Sequence, residues 1–219
     1  MLTYDLEQGS PQWLALRLGV PTTSNFGKII TPGGAPSKSA DDYLSLLLGE
    51  LLAGEAEEGV KSRDMKRGNE IEPQAVEYYE HHYGYRTRAV GFVTTTDGRI
   101  GCSPDRLVGQ EGLLEVKCPK YQQHVKNLRS SKVDSKYYPQ IQGQLLLTKR
   151  KWCDWISYHP KMPASIIKVE RDEEYLAKMK HELNEFLNKQ DSEIEMLRQR
   201  GCPFAIEVKP REIGKVEGV

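Results

Sequence analysis

The sequence has no apolar run near the roughly 20 residues that a membrane-spanning helix needs, which excludes a helical membrane span. Its first residues, Met1 to Gln8, carry neither a basic segment nor an apolar one, so no secretory signal is read and a cytoplasmic protein is expected. The four cysteines, Cys102, Cys118, Cys153 and Cys202, show no C-x-x-C spacing. They read as free thiols in a reducing compartment, not as disulfides or zinc ligands. There is no excess charge of either sign, with 31 Lys and Arg against 31 Asp and Glu. Nucleic-acid-binding chains often show a basic excess, so such a surface here would depend on local arrangement, balanced by an acidic C-terminal helix. Internal repeats and low-complexity segments are also missing. What remains is an ordinary globular composition, 38% hydrophobic and 28% charged over 219 residues, enough to bury a sizeable core in a single domain. That domain is expected to span residues 1–219, with its core at about 6–201 and a tail, 202–219, that has no assignment.

The most informative stretch runs from Gly101 to Pro119. Leu113 to Cys118 is apolar and β-branched enough for a strand. Residues two apart in a strand share a face, so Glu115 and Lys117 stand side by side while Val116 points into a core. Asp105 precedes a short strand, Arg106 to Val108, which can pair with Leu113–Cys118 across the Gly109–Gly112 turn and bring Asp105 towards Glu115. Two carboxylates beside an ammonium make a hard-oxygen cation site suited to magnesium, which takes carboxylate and carbonyl oxygens and pairs with phosphates. Metal-activated water can attack phosphorus there, with the lysine orienting it. Alternating Glu and Lys on a strand is usually a solvated face. The flanking Ser103-Pro104-Asp105 and Cys118-Pro119 point instead to a site and complete the pattern of the PD-(D/E)xK nuclease superfamily.

Along the rest of the chain, Ser10 and Pro11 open a short helix to Arg17, and Thr23 or Ser24 caps a second helix through Ile30. Arg17 reads either as a surface arginine or as a phosphate-recognising one. Thr31 to Ser39 is a loop. A helix from Ala40 to Leu52 presents Tyr43, Leu44, Leu47, Leu48 and Leu51 inward. Ser62 to Tyr83 forms a long helix that Pro73 should kink. Glu72, just before the kink, is a third site carboxylate or part of a charged face, and spacing alone favours the face. Arg86 to Thr96 alternates as one strand, Asp97-Gly98 turns, and the sheet continues through Ile100–Ser103, Arg106–Val108 and Leu113–Cys118. Helices follow at Tyr121–Leu128 and Lys136–Thr148, then strands at Trp152–Tyr158 and Ser165–Glu170. Asp172 caps a final amphipathic helix to about Arg200.

In order, Trp13 to Ser24, Arg67-Gly68-Asn69-Glu70-Ile71-Glu72, Cys102 to Asp105, Glu115 to Pro119 and Tyr137 to Gln142 resemble the lambda exonuclease type of phage recombination nuclease, the YqaJ family. The resemblance covers about residues 6–201. It implies an α/β (α+β) fold, a central mixed β-sheet flanked by helices with a PD-(D/E)xK restriction-endonuclease-like core. It also implies a 5′→3′ exonuclease on double-stranded DNA that releases 5′-mononucleotides and leaves 3′ single-stranded tails for recombination by strand annealing. Two Mg2+ ions, replaceable by Mn2+, would be held by Asp105, Glu115, the Val116 backbone carbonyl and Glu72, directly or through water, with Lys117 activating the water. Arg17, Ser24, Ser103 and Gln140 would form the pocket for a 5′-terminal phosphate. Met65 falls where a related enzyme places a wedge that splits the end base pair, and a core methionine is an equal reading. The implied partners are DNA ends with a 5′-phosphate, two further copies in a ring-shaped homotrimer, and a single-strand-annealing protein, in a bacterial cytoplasm with phage or prophage origin. The alternative is an endonuclease, restriction-type or junction-cleaving, on the same catalytic core. Pro73 after Glu72 departs from the pattern. So does the zero net charge, which requires Lys61, Arg63, Lys66, Arg67, Lys126, Arg129 and Lys132 to supply a DNA-facing surface.

Overall fold

The computed structural model describes residues 1–57 and 63–208, with side chains from residue 67 onward in the second stretch. Its centre is a five-stranded mixed sheet in the order β2 (Thr87–Arg88), β5 (Arg106–Val108), β6 (Gly112–Lys117), β7 (Trp152–His159), β8 (Met162–Glu170). β6 and β7 run parallel and the other pairs antiparallel. A second sheet has three strands in the order β1 (Leu2–Tyr4), β3 (Phe92–Thr94), β4 (Gly101–Cys102).

The central strands are buried on both sides, as a parallel pair between helical layers must be. One core joins Leu113, Cys153 and Trp155 of the sheet to the apolar faces of α2 (Ala40–Ala53), α5 (Tyr138–Thr148) and α6 (Glu173–Gln199). The other joins Leu114, Val116 and Ile156 to Ala75, Val76 and Tyr79 of α3 (Arg63–Tyr83). The pleat therefore sorts β6 residue by residue. Leu113 and Glu115 face the α5 side, and Leu114 and Val116 face α3. A mixed sheet flanked by helices is the architecture expected. Among the described residues, no helix is long and apolar enough to cross a membrane.

Several elements match the periodicity closely. α1 (Pro11–Ala15) starts on Ser10, whose hydroxyl accepts from the Trp13 N–H, with proline in the first turn. α4 occupies Tyr121–Leu128. α6 is capped by Asp172, which accepts from the Tyr175 N–H, and buries Tyr175, Leu176, Met179, Leu183, Phe186 and Leu187. α3 continues as one helix through Pro73.

Other elements differ. The strand expected over Arg86–Thr96 is two strands in two sheets, β2 and β3. Gly91 lies between them, and a Cβ there would sit 2.3 Å from the Leu6 carbonyl oxygen, so the N-terminal segment crosses the chain where it changes sheets. The second helix is a 3-10 turn, Thr23–Lys28, behind Thr22. It is pressed against α5, where a Cβ on Gly143 would come within 2.5 Å of the Phe26 ring. The helix expected from Lys136 begins as a 3-10 turn, Ser135–Tyr137, capped by the Asp134 carboxylate. α5 proper starts only at Tyr138, with Pro139 in its first turn, where a missing N–H costs nothing. The start of the tail is placed too: the Ala205 and Ile206 N–H groups both donate to the Leu51 carbonyl.

Two glycines separate packing from propensity. Gly143→Val should cost about 1–3 kcal/mol by overpacking against Phe26. Gly49→Ala, in a helical position with no atom within 4 Å of the new methyl, should gain about 1 kcal/mol. Urea unfolding of the two variants checks the contrast.

Candidate active site

β5 and β6 form a hairpin in which Arg106 pairs with Leu114, Leu107 with Leu113 and Val108 with Gly112. The tight turn requires the left-handed conformation of Gly109, at φ 50°. That register sets Asp105 level with Glu115. Asp105 Oδ2 accepts a 2.6 Å hydrogen bond from the Val116 N–H, which fixes the carboxylate against β6.

Glu115 is the most enclosed of the acids, 1% exposed. Gln144 Nε2 donates to its Oε2 at 2.7 Å, and Gln140 Nε2 donates to its Oε1 at 2.6 Å. The Lys117 ammonium also donates to Oε1 and lies 5.3 Å from the centre of the Tyr137 ring. Gln140 and Gln144 are four apart on α5, so they reach down from one helical face. Sequence reasoning named Gln140 and overlooked Gln144, although that spacing was the available signal.

Glu72 comes from α3, on the opposite wall. With Gly68, Asn69, Asp105, Val116, Lys117 and Tyr137 it lines a cleft of about 430 Å³. Burial raises the Glu72 pKa, the Arg106 guanidinium opposes that shift, and the Glu115 charge adds to it. Burial also pushes the Asp105 carboxyl well above the usual range, with further contributions from Glu115 and Glu72 against relief from Lys117 and the Val116 N–H. Burial alone would lower the Lys117 pKa, but Glu115 and Asp105 outweigh it and the net shift is upward. Lys117 is therefore a firmly held cation. Burial, with help from Glu72, lifts the neighbouring Cys118 thiol to about 11.

The donor set fits a hard cation. Among the described residues no three His, Cys, Asp or Glu side chains form a ready-made metal cluster. Magnesium does not require one, because it keeps several waters and is usually bound through one or two carboxylates. The cleft supplies carboxylates and a backbone carbonyl, and the crowding of three acids around a single lysine leaves negative charge that a cation would neutralise.

The residues named for a phosphate pocket fall into two groups. The Arg17 guanidinium stacks 4.0 Å over the Trp13 ring and donates to Thr22 Oγ1 at 3.4 Å. Thr22 Oγ1 in turn lies 3.3 Å from Ser24 Oγ. Trp13 Nε1 donates to Ser103 Oγ at 2.9 Å and to the Gly91 carbonyl at 3.1 Å. Arg17, Ser24 and Ser103 are thus gathered through Trp13 and Thr22, two residues that sequence reasoning did not single out as organisers. Gln140 stands apart from them on Glu115. Burial lowers the Arg17 pKa, countered by Tyr43 and Glu50. Of the basic candidates, Arg67 donates to the Cys118 carbonyl at 2.9 Å on the cleft rim, and Lys126, Arg129 and Lys132 are exposed. Lys61 and the side chains of Arg63, Met65 and Lys66 lie outside the described residues.

A sequence profile of the YqaJ-like viral recombinase domain matches residues 12–151, a span that holds Arg17, Glu72, Asp105, Glu115, Lys117 and Gln140. No curated protein matches the chain. Among solved structures, an alkaline exonuclease (LHK-Exo) from Laribacter hongkongensis is 32% identical, with a TM-score of 0.80 over 88% of this chain and 98% of that one. A second structure of LHK-Exo, in complex with dAMP, gives the same figures. A phage related exonuclease from Haemophilus somnus 129PT shares the fold at 18% identity, with a TM-score of 0.63 over 81% of this chain and 96% of that one. The architecture is that of the PD-(D/E)xK exonucleases.

The crowded carboxylates carry a stability signature. Because the folded pKa of Asp105 is raised, its destabilising contribution is absent below the unfolded value of about 3.9. It grows as pH rises towards the folded pKa and is complete above it. In EDTA, Asp105→Asn should raise Tm at pH 7 by a few degrees, on the scale of about 2–4 °C per kcal/mol for a chain of this size. The gain should vanish near pH 3. Paired thermal melts across that range check it.

Proposed function

The chain belongs to the family of YqaJ-like viral recombinase domains, and from that premise we propose that it is a magnesium-dependent 5′→3′ exonuclease on double-stranded DNA. The observation that carries the proposal is that Asp105 and Lys117 line one cleft while the Lys117 ammonium donates to the buried Glu115 carboxylate. An arginine-based anion group is joined to that cleft through Ser103-Pro104-Asp105.

The surroundings of Asp105, Glu115 and Lys117 support a role for each. Asp105, fixed by the Val116 N–H, and Glu115, fixed by Gln144, present oxygens at constant positions. Glu72 faces them from α3. When bound by Asp105, Glu115, the Val116 carbonyl and Glu72, two magnesium ions, or manganese in their place, supply water activation and charge neutralisation at the leaving oxygen. Lys117, cationic, orients the attacking water and stabilises negative charge that develops on the phosphate. Hydrolysis of the O3′–P bond between the terminal nucleotide and the next releases a 5′-mononucleotide and leaves a 5′-phosphate on the shortened strand, which accords with the dAMP held by LHK-Exo. Arg17, with the hydroxyls of Ser24 and Ser103, recognises the 5′-terminal phosphate by charge-assisted hydrogen bonds, and Gln140 reaches it from Glu115. Met65 is the proposed wedge at the end base pair. The same reading carries a ring-shaped homotrimer and a single-strand-annealing partner for the 3′ tail, in the cytoplasm of a bacterium that hosts a phage or prophage.

Linear duplex with 5′-phosphate or 5′-hydroxyl ends, digested beside a closed circle, tests the proposal. The circle should persist, and phosphorylated ends should be consumed faster. Arg17→Ala should reduce that preference by about tenfold or more, the scale of one charged hydrogen bond at roughly 1.5–3 kcal/mol. An unchanged ratio removes Arg17 from the pocket, and cleavage of the circle selects the endonuclease.

A further inference from the structure

On the α3 face of the sheet, α3, Tyr85 and β7 together form a continuous row of aromatic rings. Tyr158 meets Tyr78 at 5.6 Å between ring centres. Tyr78 stacks on His82 at 5.7 Å with the planes 9° apart. His82 meets Tyr83 edge-on at 4.8 Å, Tyr83 stacks on Tyr85 at 6.1 Å, and Tyr85 reaches Trp152 at 6.4 Å. Tyr79 beneath them is buried and anchored, its hydroxyl donating to Asp154 at 2.6 Å. The outer rings are not. Tyr78, Tyr83 and Tyr85 are 37%, 45% and 44% exposed, although burying such rings is what aromatic side chains ordinarily contribute.

Position and charge indicate the occupant. Lys117 pairs with Ser157 in the parallel register of β6 and β7, so Tyr158 is the next residue beyond the partner of the site lysine. The row therefore begins at the cleft end of the sheet. It continues to Trp152, six residues back along β7, or about 20 Å. The far end is basic. Arg86 and Arg88 are exposed beside Tyr85, and the Lys168 ammonium lies 3.4 Å over the Trp152 ring. The acids beneath the row are engaged by their neighbours. Glu80 accepts from the Thr87 N–H at 2.7 Å and from its hydroxyl at 2.6 Å, and Asp154 accepts from Tyr79 and faces Lys168. Open aromatic faces flanked by arginine and lysine are the chemistry that takes single-stranded nucleic acid, by stacking on bases and neutralising phosphates.

We propose that this aromatic strip binds a single strand of DNA that continues from the cleft. The proposal rests on the reading of DNA as the substrate. Stacking on bases is tolerant of sequence, so the strip would hold any single strand and contribute little to a duplex, whose base faces are covered.

Fluorescence anisotropy in EDTA tests it on the intact protein, with a labelled oligothymidylate of about 15 nucleotides and a 5′-phosphorylated hairpin duplex as probes. Tyr83→Ala and Tyr85→Ala should each weaken oligothymidylate binding by about fivefold or more. Hairpin binding and the mass from light scattering should stay unchanged, and Tyr85→Phe should restore wild-type affinity. Unchanged oligothymidylate affinity in both alanine variants would overturn the proposal. So would a change in mass, which would assign the strip to contact between copies of the chain. The assay needs no cleavage. A protein that binds the strand here yet digests no DNA sinks the nuclease reading alone, and one that digests DNA with unaltered binding in the variants sinks the strip alone.

Discussion

The buried carboxylate of Glu115 is the constraint around which the molecule is arranged. A carboxyl group at 1% exposure is tolerable only if its oxygens are filled by hydrogen-bond partners. The fold supplies them from two directions: Lys117 from the same strand, and Gln140 and Gln144 from α5. To deliver those amides, α5 must lie directly over β6. It is held there by its packing on the Thr23–Lys28 turn, where Gly143 lets Phe26 approach, and by the core it shares with α2 and α6. The helix that makes the acid bearable is thus the same helix that closes the core.

That arrangement is not one of greatest stability. Asp105 and Glu72 stand near Glu115, and both have raised pKa values because burial and mutual repulsion disfavour their charges. Crowding of this kind is expected where a site is prepared for a cation and a phosphate, at a cost in stability of the empty fold. The anion group is built differently, from a cation over an indole and a chain of hydroxyls. The two are joined by the covalent chain itself, since Trp13 holds Ser103 and Asp105 follows two residues later. The two groups therefore keep a constant spacing without any long-range coupling.

Local features of the chain were legible to the extent that they were local. The facing of Glu115 and Lys117 follows from a period of two within one strand, and the Asp105 register follows from a short hairpin. α6 carries its own cap and apolar stripe. What escaped depended on contacts between distant segments. No pattern within Arg86–Thr96 shows that Leu6 crosses at Gly91 and divides the strand between two sheets. The Thr23 or Ser24 cap of the expected helix through Ile30 does not reveal that the segment, packed against α5, is a 3-10 turn. β1 is three residues long and mostly exposed, too short for any periodicity, and exists through its pairing with β3. In the site, Trp13 was visible as apolar surface. Its indole N–H as the link to Ser103 was not, because the partner lies 90 residues away.

The proposed site at Asp105, Glu115 and Lys117 removes nucleotides from the 5′ end. The most direct measurement uses a linear duplex with distinguishable labels on the 5′-terminal and 3′-terminal nucleotides of one strand, incubated with the wild-type protein or Lys117→Ala, in magnesium or in EDTA. The 5′ label should leave first, as a mononucleotide, with wild-type protein in magnesium, and neither EDTA nor Lys117→Ala should permit its release. Release in EDTA, release of the 3′ label first, or undiminished release by Lys117→Ala would contradict it.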